Sequence, residues 1–210
     1  GQIRYHLTWD WGDAVPDDLG WRVTTDRGYA VHVTEGYLVT YSVQLAPCTE
    51  DDLGTASRWP TLFGAGEAWA GHGGPDDPSA WITGLVEPLA SPVNTSLTPI
   101  TVEPELYCRA HYLLARAETG ALGLPEDIDM MGTSLYIKGT VARGDEPATT
   151  FTIWSTLPTG QLLAWSEPAT PIDVTDLGVD VTITRDLGRL FDGVEFATMS
   201  TESVEKTILL

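Results

Sequence analysis

The sequence predicts an all-β protein, an antiparallel β-sandwich with long loops and short C-terminal helical segments. Apolar and polar residues alternate with period two over many short stretches, as in strands that bury one face. Clusters of Gly, Pro and Asp separate these stretches, and helix signals occur only late in the chain. With no internal repeat or linker-like tract, residues 1–210 are predicted to form a single β-rich domain.

The first predicted strands show the clearest alternation. Residues 3–9 (IRYHLTW) place four apolar side chains on one face and His6 on the other, and residues 29–35 (YAVHVTE) do the same with His32. In the stretch 37–45 (YLVTYSVQL), one apolar face is predicted to comprise Tyr37, Val39, Tyr41, Val43 and Leu45. Further strands are predicted at 81–86, 98–103, 106–116, 133–142, 149–156, 160–166 and 179–185.

Loops and helical turns fill the remaining stretches. Residues 47–80 and 86–98 are rich in Gly, Pro, Ser and Asp, and loops of this length in a β domain tend to be functional or disordered. Residues 185–200 are predicted to hold one or two short helical turns. Residues 200–210 begin with a Ser/Thr cap and end apolar, as a short helix does.

The charge is strongly acidic, with 30 acidic residues, 11 basic residues and a net charge of −19. Nucleic acid and anionic membranes repel such a surface, so neither is an expected partner. The balance suits an extracytoplasmic protein or one that attracts cations, although solubility alone also accounts for it. The longest apolar runs are strand-sized, which predicts no transmembrane span. For an exported protein we expect the targeting segment to have been removed.

Cys48 and Cys108 allow one intramolecular disulfide. No CxxC spacing typical of a metal site is present, so we expect a structural bridge, with two buried free thiols as the alternative. Such a bridge would draw the strand at 106–116 towards the strand at 37–46.

Enzyme signatures are missing from the sequence, which contains no G-x-S-x-G elbow, P-loop, G-x-G-x-x-G after a strand or H-E-x-x-H. The Asp-Asp pairs at 17–18, 51–52 and 76–77 do not meet the calcium-loop pattern and are interpreted as solvated loop charge. We therefore expect a protein that is not an enzyme.

The four histidines are the candidate metal ligands. His6 and His32 lie opposite apolar faces, and His111 lies in a strand whose two faces are both mixed. Glycines flank His72 and allow its backbone to approach an ion closely. Histidines on neighbouring strands would place imidazoles about 5 Å apart, and His72 could complete a site for copper or zinc. The alternative is that His6 and His32 are surface residues and that His111 is hydrogen-bonded and partly buried.

Six stretches, in chain order, resemble one protein family: LTWDWGDAV, YLVTYSVQLAPC, AWAGHGG, LYCRAHYLLARAE, SLYIKGTV and LFDGVEFATMS. They are similar to exported copper-binding proteins grouped with the methanobactin-associated protein MbnP, and more distantly to copper-repressible surface proteins of methane-oxidising bacteria. The resemblance implies a periplasmic or outer-membrane-associated protein that binds copper for acquisition, storage or handover. It also implies a periplasmic di-haem oxidase or an outer-membrane protein as a partner.

The resemblance implies a ligand set. His72 would bind copper, His111 or His32 would be the second histidine, and His6 would be a reserve. In characterised members a tryptophan near the metal is oxidised to kynurenine, which makes Trp69 the candidate here.

The identity of that tryptophan is open. Distant relatives place the modified tryptophan two residues before the loop histidine, whereas Trp69 precedes His72 by three, so Trp81 and Trp59 are alternatives. Trp69 could instead be an aromatic anchor that holds residues 60–80 on the sheet.

Two other functions fit the same composition. Eight tryptophans and seven tyrosines could form an aromatic platform on a glycan- or surface-binding module. A structural surface lipoprotein that binds no metal is the remaining possibility.

Overall fold

The computed structural model describes residues 1–48, 80–165, 172–174 and 178–198. These ranges are almost entirely β, which confirms the predicted all-β, sandwich-like fold. The strands are β1 (Gln2–Asp10), β2 (Val15–Asp17), β3 (Gly20–Thr24), β4 (Tyr29–Pro47), β5 (Ala80–Pro88), β6 (Thr95–Ser96), β7 (Ile100–Thr101), β8 (Leu106–Leu114), β9 (Leu135–Arg143), β10 (Thr149–Ser155), β11 (Thr159–Ala164), β12 (Ile172–Asp173) and β13 (Val179–Asp186).

Helical structure in the described ranges consists of two 3₁₀ turns, Leu187–Arg189 and Phe196–Thr198. They lie in the stretch 185–200, where short turns were expected, and the predicted helix at 200–210 is outside the described residues. None of the helical segments described is long and apolar enough to cross a bilayer.

The strands form two sheets. In the smaller sheet, β1 pairs with β13 on one side and with β6 and β7 on the other. The larger sheet is built on β4, whose first half pairs with β3 and β9 and whose second half pairs with β5 and β8. Strands β2 and β10 extend it beyond β3 and β9, and β11 and β12 pair with β8.

One strand pair departs from the predicted antiparallel arrangement. β1 and β13 run parallel, from Ile3 opposite Val179 to Asp10 opposite Asp186. Parallel neighbours need a long crossover connection, and nearly the whole chain lies between these two strands. The alternation of apolar and polar residues within a strand does not indicate whether it runs parallel or antiparallel to its neighbour.

Two irregularities in β4 overturn the prediction of one apolar face over 37–45. The pairing register shifts at Thr34 against β9 and at Tyr41 against β5 and β8. An extra residue reverses the alternation that follows it. Leu38 and Val43 therefore lie in the main core, whereas Val39 lies in a second, smaller apolar cluster.

The main core combines residues of both sheets. The apolar faces predicted for residues 3–9 and 29–33 are buried in it, together with Trp21 of β3. Phe191 and Phe196, which follow β13, pack against Phe151 of β10 at ring-centroid distances of 6.0 and 5.2 Å. The chain after β13 therefore closes one end of the core.

Cys48 and Cys108 form the expected disulfide. The bridge lies at the end of the β4–β8 pair, where the Cys48 N–H donates to the carbonyl of Leu106 over 2.9 Å. It therefore fixes the strand that carries His111 beside β4, as the sequence predicted.

Candidate functional site

His6 lies on the outer face of the smaller sheet. Its Nδ1 is 2.8 Å from Ser96 Oγ on β6, and its Nε2 is 3.2 Å from Asp180 Oδ1 on β13. Arg4 also approaches Asp180, at 4.0 Å. Both ring nitrogens of His6 are therefore within hydrogen-bond distance of oxygen atoms.

His32 lies on the outer face of the larger sheet, between Arg22 of β3 and Thr140 of β9. Its Nε2 is 3.1 Å from Asp17 Oδ2, and Arg22 Nε is 2.8 Å from the same oxygen. The N–H of Leu19 donates to Asp17 and lowers the pKa of its carboxyl, and His32 and Arg22 lower it further. His32 is part of a charged surface cluster.

His111 lies on the second half of the larger sheet. Cross-strand pairing places Ala80 of β5, Gln44 of β4, His111 of β8 and Leu162 of β11 in one row. The residues on either side of His111, Ala110 and Tyr112, are in the main core, so this row faces outward. His111 is half-buried there, beside Leu162, which is 50% exposed.

A glycine on β11 provides space for the His111 ring. An added Cβ at Gly160 would lie 3.0 Å from His111 Nε2. A side chain at position 160 would therefore require the imidazole to shift.

The structure does not bring the three described histidines together. His6 belongs to the smaller sheet, while His32 and Gln44, the partner of His111, are twelve residues apart on β4. Twelve residues of strand span on the order of 40 Å. In the described ranges, no three His, Cys, Asp or Glu side chains are grouped closely enough to hold one metal ion. His72 lies outside these ranges.

No protein-family model, curated protein or solved structure matches the chain. A functional assignment therefore depends on the chemistry and placement of its own residues.

Sequence reasoning missed a buried polar cluster between the sheets. Arg185 of β13 donates from Nη1 and Nη2 to the two carboxylate oxygens of Glu87 on β5, over 2.6 and 2.9 Å. Thr40 Oγ1 also donates to Glu87, over 2.6 Å, and lies 2.8 Å from the hydroxyl of Tyr112. Arg185 occupies a position of β13 that alternation assigns to the apolar face with Val181 and Ile183, which was the available signal.

Burial disfavours the charged forms of Arg185 and Tyr112, and for Arg185 the surrounding contacts outweigh this effect. Desolvation tends to lower the pKa of Arg185, but the hydrogen bonds to Glu87 and the neighbouring groups raise it overall. Desolvation raises the pKa of the Tyr112 phenol. The Arg185 guanidinium also lies 3.9 Å from the ring centroid of Trp9. The cluster therefore has a structural role, because it connects the smaller sheet to the larger one.

The described tryptophans differ in exposure. Trp154 on β10 is 49% exposed and contacts Tyr136, with ring centroids 4.4 Å apart. Trp81 is buried in the main core and lies on the opposite face from the row that contains His111. Trp59 and Trp69 lie outside the described residues.

Proposed function

We propose that this chain binds copper through histidine imidazoles and that His111 is the ligand supplied by the sheet. The observation that carries the proposal is the placement of His111 in an outward-facing row between β4 and β11. The segment 49–79, which contains His72, joins Cys48 to Ala80. Ala80 belongs to that row, and Cys48 lies four residues beyond Gln44, just after the end of β4. Ala80 is two strand spacings, or about 10 Å, from His111.

The ligand chemistry favours nitrogen donors. Both cysteines of the chain are in the disulfide, so imidazole replaces thiolate as the strong donor for a transition metal. Imidazole suits copper, which binds more tightly than other divalent first-row metals at equal geometry. The net charge of −19 attracts cations to the surface.

His6 and His32 are weaker candidates for this site. His6 belongs to the smaller sheet and does not adjoin the row that contains His111. His32 lies beside the Arg22 guanidinium, whose charge repels a metal cation, although Asp17 offsets part of that charge.

The proposal places the protein in the periplasm or at the outer membrane, for copper acquisition, storage or handover. A structural disulfide supports an oxidising compartment. A periplasmic di-haem oxidase or an outer-membrane protein is the partner proposed with it. In the same proposal Trp69 is oxidised to kynurenine near the metal, with O2 as the oxidant and with the indole C2 released as formate by hydrolysis.

The test is competitive titration with Cu(I) and Cu(II) of the wild-type protein and four variants. His111→Ala and His72→Ala should each weaken binding by more than about 100-fold, since loss of an outer-shell partner alone costs ~10–100-fold. His6→Ala and His32→Ala are the matched controls and should leave affinity within a few-fold. Equal affinity for His111→Ala and wild type would remove His111 from the site, and absence of tight binding by the wild type would refute the function.

The tryptophan modification has its own measurement. Peptide mass spectrometry of protein purified from its native host should show the kynurenine mass on the peptide that contains Trp69. An unmodified Trp69 in copper-loaded protein would refute that role and leave the histidine site to be judged by the titration.

A further inference from the structure

β10 forms an open edge of the larger sheet. It pairs with β9 on one side, from Thr149 opposite Val141 to Ser155 opposite Leu135. No strand in the described part of the chain pairs with its other side. The outward N–H and C=O groups of such a strand are available to pair with another chain.

This edge lacks the features that usually block such pairing. Its sequence, TTFTIWS, contains no charged residue and no proline, and its pairing with β9 has no register shift. Two other edge strands differ, since β2 carries Pro16 and Asp17 and β13 carries Asp180 and Arg185. β11 (TGQLLA) also lacks charge and proline, but it is one residue shorter than β10. In a chain with a net charge of −19, an uncharged seven-residue edge lets two copies approach with little local repulsion.

We propose that two copies of this chain associate through β10, with the two strands antiparallel about a two-fold axis at Thr152. This register pairs all seven residues, with Thr150 opposite Trp154 of the second copy and Phe151 opposite Ile153. Each pair joins residues of the same face, so the core face of one sheet continues into the other. A two-fold interface of this kind is closed, which limits the assembly to a dimer.

Charge at the two ends of β10 favours the antiparallel arrangement. The turn before the strand carries the exposed pair Asp145 and Glu146, and Arg143 at that end is directed onto the ring of Tyr29. After the strand, Arg116 donates to the carbonyl of Thr156 and is exposed. Antiparallel pairing brings the acidic end of one copy to the basic end of the other.

Trp154 supplies the apolar contact of this interface. It is 49% exposed on the outer face of β10, with Tyr136 beside it and Thr152 two residues before it. Tryptophan is enriched among the residues that dominate binding at interfaces. Pairing would place it against Thr150 of the second copy and remove part of its surface from water.

Cysteine cross-linking tests both the dimer and its register. Opposed residues of an antiparallel pair have Cα atoms about 4.5–5.5 Å apart, within the range that a disulfide spans. Thr152→Cys should therefore form a covalent dimer in mild oxidant, and Thr150→Cys alone should not. A mixture of Thr149→Cys and Ser155→Cys should cross-link, because the register places these two positions opposite each other and leaves Trp154 in place. Thr182→Cys, on the exposed face of β13, is the matched control for random collision. Equal cross-linking of Thr152→Cys and Thr182→Cys would overturn the proposal.

Analytical ultracentrifugation supplies a readout that needs no cysteine. The wild type should sediment as a dimer, increasingly so at higher salt because salt screens the repulsion between two acidic copies. Thr152→Lys should weaken dimerisation at least 10-fold, and Thr182→Lys should sediment as the wild type does. A wild type that stays monomeric at high protein and salt concentration would overturn the proposal. That result would also be expected if β10 pairs with a strand of a different protein and not with a second copy.

Discussion

Arg185 of β13 and Glu87 of β5 form a bidentate ion pair that connects the smaller sheet to the larger one inside the protein. Both side chains are more than nine-tenths buried. Removing two charges from water is costly, and attraction offsets that cost only when the remaining polar atoms are also hydrogen-bonded. Thr40 and Tyr112 provide those contacts, with Trp9 covering the guanidinium.

Breaking this pair should destabilise the protein strongly. Glu87→Gln leaves a buried guanidinium without its counter-charge, so we expect the free energy of unfolding to fall by about 3–5 kcal/mol. Asp192→Asn, which removes the exposed partner of Arg189, should cost less than about 1 kcal/mol. Urea denaturation followed by circular dichroism measures both values.

Replacing both partners by apolar residues tests whether that loss comes from the charge that is left buried without its partner. The double variant Glu87→Leu with Arg185→Met should recover most of the stability, because no charge is left buried. A loss equal to the sum of the Glu87→Leu and Arg185→Met single losses would mean that the two charges are not energetically coupled, and would contradict this account of the single-variant loss.

The disulfide should contribute a comparable amount. Cys48 and Cys108 are 60 residues apart, and closing a loop of that length stabilises by about 4 kcal/mol in the chain-entropy model. The Cys48→Ser, Cys108→Ser double variant should lose that stability in urea denaturation. A loss below about 1 kcal/mol would mean that the unfolded chain is already restricted between these positions.

The alternation of apolar and polar residues predicted the buried face of a strand correctly where the strand pairing is regular. It failed where the pairing register shifts. The buried faces of β1 and the start of β4 follow period two, since each strand has one face on the core. The prediction was wrong in the middle of β4, where register shifts at Thr34 and Tyr41 reverse the faces. A bulge depends on the partner strand, which alternation within one segment does not identify.

The candidate site could be predicted only in part, because the sequence of one strand does not identify its partner strands. The cysteine pair correctly indicated that the strand of His111 lies beside β4. Which other histidines adjoin it depends on pairings between distant segments, and these place His6 and His32 elsewhere. The Arg185 cluster was missed because one charged residue in an apolar pattern does not show where its counter-charge lies.

Three tyrosines should make stability fall at alkaline pH. Burial raises the pKa of Tyr112, and burial together with nearby carboxylates raises the pKa of Tyr37 and of Tyr136, above the ordinary value of 10.0. The folded state therefore holds these protons more tightly than the unfolded state. Their contribution is present below pH 10 and is lost as pH rises through the folded pKa values.

Two measurements test this alkaline loss. Urea denaturation at increasing pH should show a decline in the free energy of unfolding that is shallower for Tyr37→Phe than for the wild type. Phenolate absorbance should show some tyrosines ionising above pH 10. A stability that does not change with pH in that range would contradict the raised pKa values.

Close backbone approach should make Gly139 intolerant of a side chain. An added Cβ there would lie 2.1 Å from the carbonyl oxygen of His32, at the irregular part of the β4–β9 pair. Because a backbone atom cannot yield easily, Gly139→Ala should cost several kcal/mol or prevent folding. Gly178→Ala, where the added atom would meet nothing within 4 Å, should change stability by less than about 0.5 kcal/mol.

Gly160 should affect copper binding through His111. A Cβ at this position would lie 3.0 Å from His111 Nε2, so Gly160→Ala should displace the imidazole while the strands stay paired. We expect copper affinity to fall by about 10–100-fold, as for loss of a group that orients a ligand. The unfolding free energy should change little, because the clash is with the end of one half-buried side chain and not with backbone atoms. Copper titration and urea denaturation of the same variant separate the two effects, with Gly178→Ala as the control. Unchanged copper affinity in a folded Gly160→Ala protein would show that copper binding does not depend on the position of the His111 ring.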